Sequence, residues 1–176
     1  MEQEKFIGLM QRYVVNIAIT GSTLRNQGVK HVVEKAREFL SKLDLSILRE
    51  KVPDDYAEQL DKWTGALRKA LPQGAQNWGT ARKAINVFMV QAFLNKHLAQ
   101  EYGLHGFGQV FETPLDAQAT QELRNKPGGG RLPSWNSIKR LTPASSQCYQ
   151  EFASELAAQH HIPRAYLDVM LWRATD

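Results

Sequence analysis

The chain has 176 residues and a mass of 20.0 kDa, a length that predicts one compact domain. With 43% apolar and 23% charged residues, it is not a disordered tail. Its net charge of +4 suits a polyanion partner but is shared by many proteins without one, and so decides nothing on its own. One cysteine, Cys148, excludes an intrachain disulfide and a thiolate-held iron–sulfur cluster, and the apolar runs are too short for a membrane span.

The apolar residues recur at intervals of three and four, and no segment alternates with period two, so the chain is predicted to be all-α. A clear stripe consists of Tyr56, Leu60, Trp63, Leu67 and Leu71. It predicts a helix over 56–71 with Trp63 packed in the core rather than free to stack on a base. Gly- and Pro-bearing breaks separate further predicted helices over 2–20, 29–43, 45–51, 80–102, 116–125 and 163–173.

Near the C-terminus, Tyr149, Phe152 and Leu156 form a second clear stripe. Thr142 is predicted to be the N-cap of this helix, with Pro143 at its first helical position. Loops are predicted at 72–79, 103–114 and 126–133. The last one carries three consecutive glycines, so we expect it to be flexible and to lie on the surface.

Segment 80–102 is the most apolar predicted helix and should run through the centre of the fold. A Gly-bearing hairpin leads into it and places Lys83 in its predicted first turn. There, burial and the positive end of the helix dipole would lower the pKa of the lysine toward that of a neutral nucleophile. The backbone amides at the same helix start suit a phosphate. Alternatively, Lys83 is a solvated surface residue.

A second conspicuous residue, Asp116, opens a helix after a long loop and follows Pro114 by two positions. As an N-cap it requires no other function. Together with the hairpin, however, this stretch resembles the helix-hairpin-helix DNA glycosylases. Their signature joins a hairpin ending in a pattern like G-x-G-R-K-T-A-N to a later P-x-D. The positions that match it are Gly79, Arg82, Lys83, Asn86, Val87 and Asp116.

Two features are similar to the archaeal 8-oxoguanine glycosylase branch of that superfamily. Lys83 and Asp116 are 33 residues apart, and the segment 162–172 looks like the closing helix of the branch, with Asp168 and Trp172 four positions apart. The resemblance covers most of the chain from about Tyr56. The hairpin is longer than usual and alanines replace a glycine and a threonine of the pattern, which bears on phosphate binding.

The resemblance implies an all-α fold with two helical lobes around a cleft. Lys83 would attack the deoxyribose C1′ to form a Schiff base, and Asp116 would stabilise the positive charge that develops on the sugar. The extruded base would contact Pro114, Asp168 and Trp172. Trp172 could equally pack in the core, with Asp168 paired to Arg164 or Arg173.

Other residues are candidates for contact with DNA. Gln27, in the polar segment between the first two predicted helices, either reads the edge of the base or belongs to a plain turn. Gly79, Thr80 and Arg82 are candidates for the DNA backbone. Arg131, Lys139 and Arg140 either add phosphate contacts or are merely solvated. His160 and His161 are adjacent and point apart, so no metal and no cofactor are expected.

The sequence therefore predicts a base-excision DNA glycosylase with abasic-site lyase activity, acting on double-stranded DNA as a monomer in the cytoplasm. 8-Oxoguanine is the first expected substrate. The alternatives are a glycosylase for another modified base, such as those in phage DNA, a non-catalytic helical module that binds DNA or a protein, and a purely structural helical protein.

Overall fold

The computed structural model describes residues 2–172, with only the backbone of Trp172. The fold is all-α, as predicted: this part of the chain forms eight α-helices and six short 3-10 turns, and no strand. Within it, no helix combines the length and apolarity needed to cross a bilayer. The α-helices are α1 (Gln3–Ala18), α2 (Val32–Ser41), α3 (Tyr56–Ala70), α4 (Trp78–Leu94), α5 (Lys96–Glu101), α6 (Ala117–Asn125), α7 (Pro143–Gln159) and α8 (Leu167–Trp172).

Two predicted helix starts are confirmed by side-chain hydrogen bonds. Thr142 caps α7, its hydroxyl accepting from the amide of Ser145, and Pro143 is the first helical residue. Asp116 caps α6 through the amide of Ala119. Both caps satisfy an amide that would otherwise lack a partner within its helix. The 56–71 stripe is confirmed as α3, with Trp63 buried.

Other predicted helices differ from the observed ones. The predicted helix 80–102 begins earlier, at Trp78, and is interrupted at Asn95, whose extended backbone and side chain cap the separate helix α5. The predicted helix 45–51 is a 3-10 turn, because Asp44 accepts the amide hydrogen of Ser46 and Pro53 follows closely. The segment predicted as 163–173 begins with a 3-10 turn before α8.

The buried apolar side chains form two clusters. One joins α1 to α5 with the segment that follows them as far as Phe111, and the other joins α6 to α8 with the segment 132–141. Almost every residue of α4 is buried, which confirms its central position. At Gly79 this helix meets the second cluster: a Cβ there would lie 2.1 Å from the carbonyl oxygen of Ile138, so only glycine permits the contact.

The glycine-rich loop at 126–133 is more tightly held than predicted. Gly129 is buried, and a Cβ on it would lie 2.2 Å from the carbonyl oxygen of Leu123. Leu132 contributes to the second cluster. Only part of the loop therefore lies on the surface, because its glycines allow the backbone to pack closely against the end of α6.

Candidate active site

An open pocket of about 610 Å³ lies where the two apolar clusters meet. Its walls come from the end of α1 and the segment 20–25, from the middle of α4, from the start of α6 and from α8. The pocket brings together four of the predicted site residues, which come from three separate parts of the chain. They are Lys83, Pro114, Asp116 and Asp168.

Lys83 projects from α4 and is only 9% exposed. Its Nζ lies 3.1 Å from Oδ2 of Asp116 and donates a hydrogen bond to it. Because α4 begins at Trp78, Lys83 is its sixth residue and lies in the second turn, not in the first. The field of a helix terminus falls off within the first turn. The charged group in contact with this amine is therefore the Asp116 carboxylate and not the helix start.

The two oxygens of Asp116 have different partners. Oδ1 accepts from the backbone amide of Ala119 at 2.9 Å, which caps α6, while Oδ2 accepts from Lys83. The Asp116 carboxylate thus caps α6 and also holds the Lys83 amine at the wall of the pocket. Capping alone would explain the aspartate, but it does not explain the second contact.

Asp168 lies in the first turn of α8 and also faces the pocket. Burial and, to a smaller extent, the charge of Asp116 raise its pKa from 3.8 to about 6, and Lys83 opposes both effects. Arg164, which the sequence offered as an alternative partner, instead donates to the carbonyl oxygens of Phe111 and Gln150. The side chain of Trp172, predicted to stack on the base, lies outside the described residues, as does Arg173.

Gln27 is not brought to this pocket. It is buried elsewhere, where its Oε1 accepts a hydrogen bond of 3.0 Å from the hydroxyl of Thr80. Its backbone carbonyl accepts from Nζ of Lys139. Gln27 therefore fastens the segment between α1 and α2 to the start of α4, which corresponds to the alternative of a structural turn rather than to reading of a base.

The residues predicted to contact phosphates at the start of α4 are buried in the protein as well. Gly79 and Thr80 are buried, and the amide of Thr80 already donates to the side chain of Asn77, the N-cap. The expected site for DNA at this helix start is thus occupied by the protein itself. The hairpin that precedes it is exposed at Gln73 and Gly74.

Arg82 differs most from its expected contact with the DNA backbone. It is buried, forms a bidentate pair with Glu112 at 2.7 and 2.8 Å, and donates to Asp61 at 2.7 Å. Its guanidinium also lies over the ring of Trp78. With its donors used in this network, Arg82 fixes α3, α4 and the loop before α6 to one another.

Sequence reasoning missed part of the pocket wall. The hydroxyl-bearing segment after α1 contributes Thr20 and Thr23, whose Oγ1 atoms lie 3.0 Å apart, and α4 contributes the amide of Gln91. In the polar segment after the first predicted helix, only Gln27 was predicted to contact a base. The unusual density of polar side chains in this segment, directly after an apolar helix, was the signal available.

The remaining predicted cations lie apart from the pocket. Arg131 pairs with Glu155 on the surface, Lys139 holds Gln27, and Arg140 is exposed. Within residues 2–172, no three His, Cys, Asp or Glu side chains are grouped as a metal ion would require.

Comparison of this chain with protein-family models, with curated proteins and with solved structures finds no match.

Proposed function

We propose that this protein is a DNA glycosylase with abasic-site lyase activity, related to the helix-hairpin-helix glycosylases, and that it removes an oxidised or modified base, with 8-oxoguanine as the first candidate. The observation that carries the proposal is the buried pair of Lys83 and Asp116, 3.1 Å apart in the wall of a pocket of about 610 Å³. A nucleophile beside a carboxylate is the arrangement that covalent glycosidic chemistry needs.

In the proposed reaction the free amine of Lys83 forms a bond to C1′ as the C1′–N bond breaks and the base leaves with the bonding electrons. The amine must first lose a proton, and Asp116 is the acceptor within hydrogen-bond distance. Once that proton passes to the departing base, the Asp116 carboxylate is restored and opposes the positive charge on the sugar. Ring opening of the sugar gives a protonated imine, and loss of a proton from C2′ then expels the 3′ phosphate and cleaves the strand.

The pocket suits an extruded base in size and lining. Its volume lies within the range of about 300–1,000 Å³ that is common for small-molecule sites. The hydroxyls of Thr20 and Thr23, the amide of Gln91 and the carboxyl of Asp168 offer polar groups for the edge of a base. Apolar contacts come from Val87 and Pro114. A base in a duplex must leave the stack to reach such a pocket.

A competing function is a non-catalytic helical module that binds DNA or a protein. The ion pair is compatible with this function too, because a buried Lys–Asp contact also occurs as a purely structural element. The two functions differ in one outcome: only the glycosylase forms a covalent bond between Lys83 and DNA.

Borohydride trapping tests this difference. The protein is incubated with duplexes carrying 8-oxoguanine, another modified base or an abasic site, and covalent adducts are separated by denaturing electrophoresis. We expect an adduct with the wild type and with Lys96→Gln, a control at an exposed lysine, and none with Lys83→Gln. Circular dichroism shows whether each variant is folded.

Asp116→Asn separates charge from capping. Asparagine is as good an N-cap as aspartate, so α6 should remain intact while the negative charge is lost. We expect folded protein with base excision slowed at least about 100-fold, the scale seen when one group that stabilises transition-state charge is removed. Absence of an adduct on every duplex with the folded wild type, including the abasic one, would favour the non-catalytic module.

A further inference from the structure

One side of the pocket is formed by a stretch of chain that carries no acidic side chain. Between positions 5 and 33 the sequence contains no Asp or Glu, but it contains Lys5, Arg12, Arg25 and Lys30. In the structure this stretch comprises most of α1, the segment 20–25 and the approach to α2. A surface of one sign attracts a ligand of the opposite sign and raises its association rate.

The solvent face of α1 also exposes large apolar side chains. Its inner face buries Ile7, Val14 and Val15 in the first cluster. On the outer face Leu9, Tyr13 and Ile17 recur every four residues and so form one line along the helix. Tyr13 is 59% exposed and Ile17 is 49% exposed.

This line ends at the mouth of the pocket. Ile17 and Arg25 both line the pocket that holds Lys83. On α8, Val169 is exposed and lines the same pocket. The opening of the pocket is therefore flanked by an apolar side chain from α1, another from α8, and the guanidinium of Arg25.

We infer that duplex DNA lies across the solvent face of α1 and the segment 20–25, with the target nucleotide turned into the pocket. Arg12 and Arg25 contact phosphates, while Tyr13 and Ile17 pack on the base pairs that the extruded nucleotide leaves unstacked. The inference rests on the proposed glycosylase function. It differs from a DNA contact centred on the start of α4, where Gly79 and Thr80 are buried.

The chemistry of duplex DNA fits both parts of this surface. Phosphates require cations, and arginine matches their geometry with paired donors. Extruding a base removes its stacking contacts, and apolar side chains placed against the opened step offset part of that loss. A protein partner or a second copy of the chain could pack on the apolar line, but neither has phosphates for the arginines beside it.

The test measures binding by fluorescence anisotropy, using a duplex with a tetrahydrofuran abasic analogue and the same duplex unmodified, over a range of salt concentrations. The double variant Arg12→Gln/Arg25→Gln should bind both duplexes about tenfold or more weakly, and its slope of log affinity against log salt should fall by about 2. The matched control Lys69→Gln/Lys96→Gln removes two exposed lysines elsewhere, one of them beside the hairpin, and should bind like the wild type.

The apolar line has its own readout. Tyr13→Ser and Ile17→Ser should reduce the preference for the tetrahydrofuran duplex over the unmodified one by about fivefold or more, since stacking contacts form only at the opened step. Val52→Ser, at a residue 58% exposed before α3, is the control and should leave the preference unchanged.

Several outcomes would overturn the inference. The first is that the arginine double variant binds DNA with unchanged affinity and salt slope. The second is that the lysine control loses as much DNA affinity as the arginine variant. The third is that the apolar variants lose a dimer or protein contact instead of DNA affinity. If wild-type protein is trapped by borohydride while these variants bind normally, only the location of DNA is wrong. If the wild type neither binds any duplex at low salt nor is trapped, the proposed function fails as well.

Discussion

Replacing Asp168 with asparagine should make the protein more stable, and the gain should depend on pH. Burial and Asp116 hold the pKa of Asp168 at about 6 against its ordinary 3.8. The native state therefore binds this proton more tightly than the unfolded chain does. The resulting penalty on the native state is absent below the ordinary pKa, grows as pH rises toward 6 and is complete above it.

The size of the effect follows from the two pKa values. The penalty is about 1 kcal/mol at pH 4.5 and about 3 kcal/mol at pH 7.5, since each pH unit between the two pKa values contributes about 1.4 kcal/mol. Asparagine has nearly the same shape and cannot ionise. Asp168→Asn should therefore raise the free energy of unfolding by about 2 kcal/mol more at pH 7.5 than at pH 4.5.

Urea denaturation of both proteins at the two pH values measures this difference. The control is Asp54→Asn, at an exposed aspartate, which should change the free energy of unfolding by less than about 0.5 kcal/mol at either pH. An equal effect of Asp168→Asn at pH 4.5 and pH 7.5 would refute the reasoning, because it would show that the carboxylate charge is not what burial in the pocket opposes.

Two further predictions concern packing. Gly79→Ala places a Cβ 2.1 Å from the carbonyl oxygen of Ile138 and should lower the free energy of unfolding by about 2 kcal/mol or more. In the control Gly65→Ala, in α3, the new Cβ meets nothing within 4 Å, and the free energy of unfolding should rise by up to about 1 kcal/mol. Equal thermal midpoints of the two variants would contradict the close contact at Gly79. Arg82→Met leaves Glu112, whose side chain is 12% exposed, without its cation and should cost about 3–5 kcal/mol in urea denaturation. A loss below about 1 kcal/mol would mean that the pair is not needed for folding.

The sequence predicted the elements that depend on local patterning. Helix α3 follows from apolar residues at intervals of three and four, and the α7 start follows from Thr142 followed by Pro143. The break at Asn95 was missed because apolar residues continue on both sides of it, although asparagine is a good N-cap. Local chemistry thus competed with periodicity, and periodicity alone gave one helix that is too long.

The candidate site could be predicted only in part. The pairing of Lys83 with Asp116 came from the resemblance, because a separation of 33 residues says nothing of distance in space. For the same reason the partners of Arg82 were not foreseen: Asp61 and Glu112 are 21 and 30 residues away. A motif position can be filled by a residue whose donors the tertiary fold has already used, and Arg82 is such a case.

The cap that Asp116 forms on α6 has a consequence for the electric field in the pocket. One oxygen is held by the amide of Ala119, so in the proposed reaction the carboxylate would stay in place while the Lys83 amine moved toward the sugar. A negative charge fixed by the backbone acts on whatever positive charge next develops nearby, without first having to reorient. In the proposed reaction, the start of α6 thus holds the negative charge in a fixed position, and only the Lys83 amine has to move.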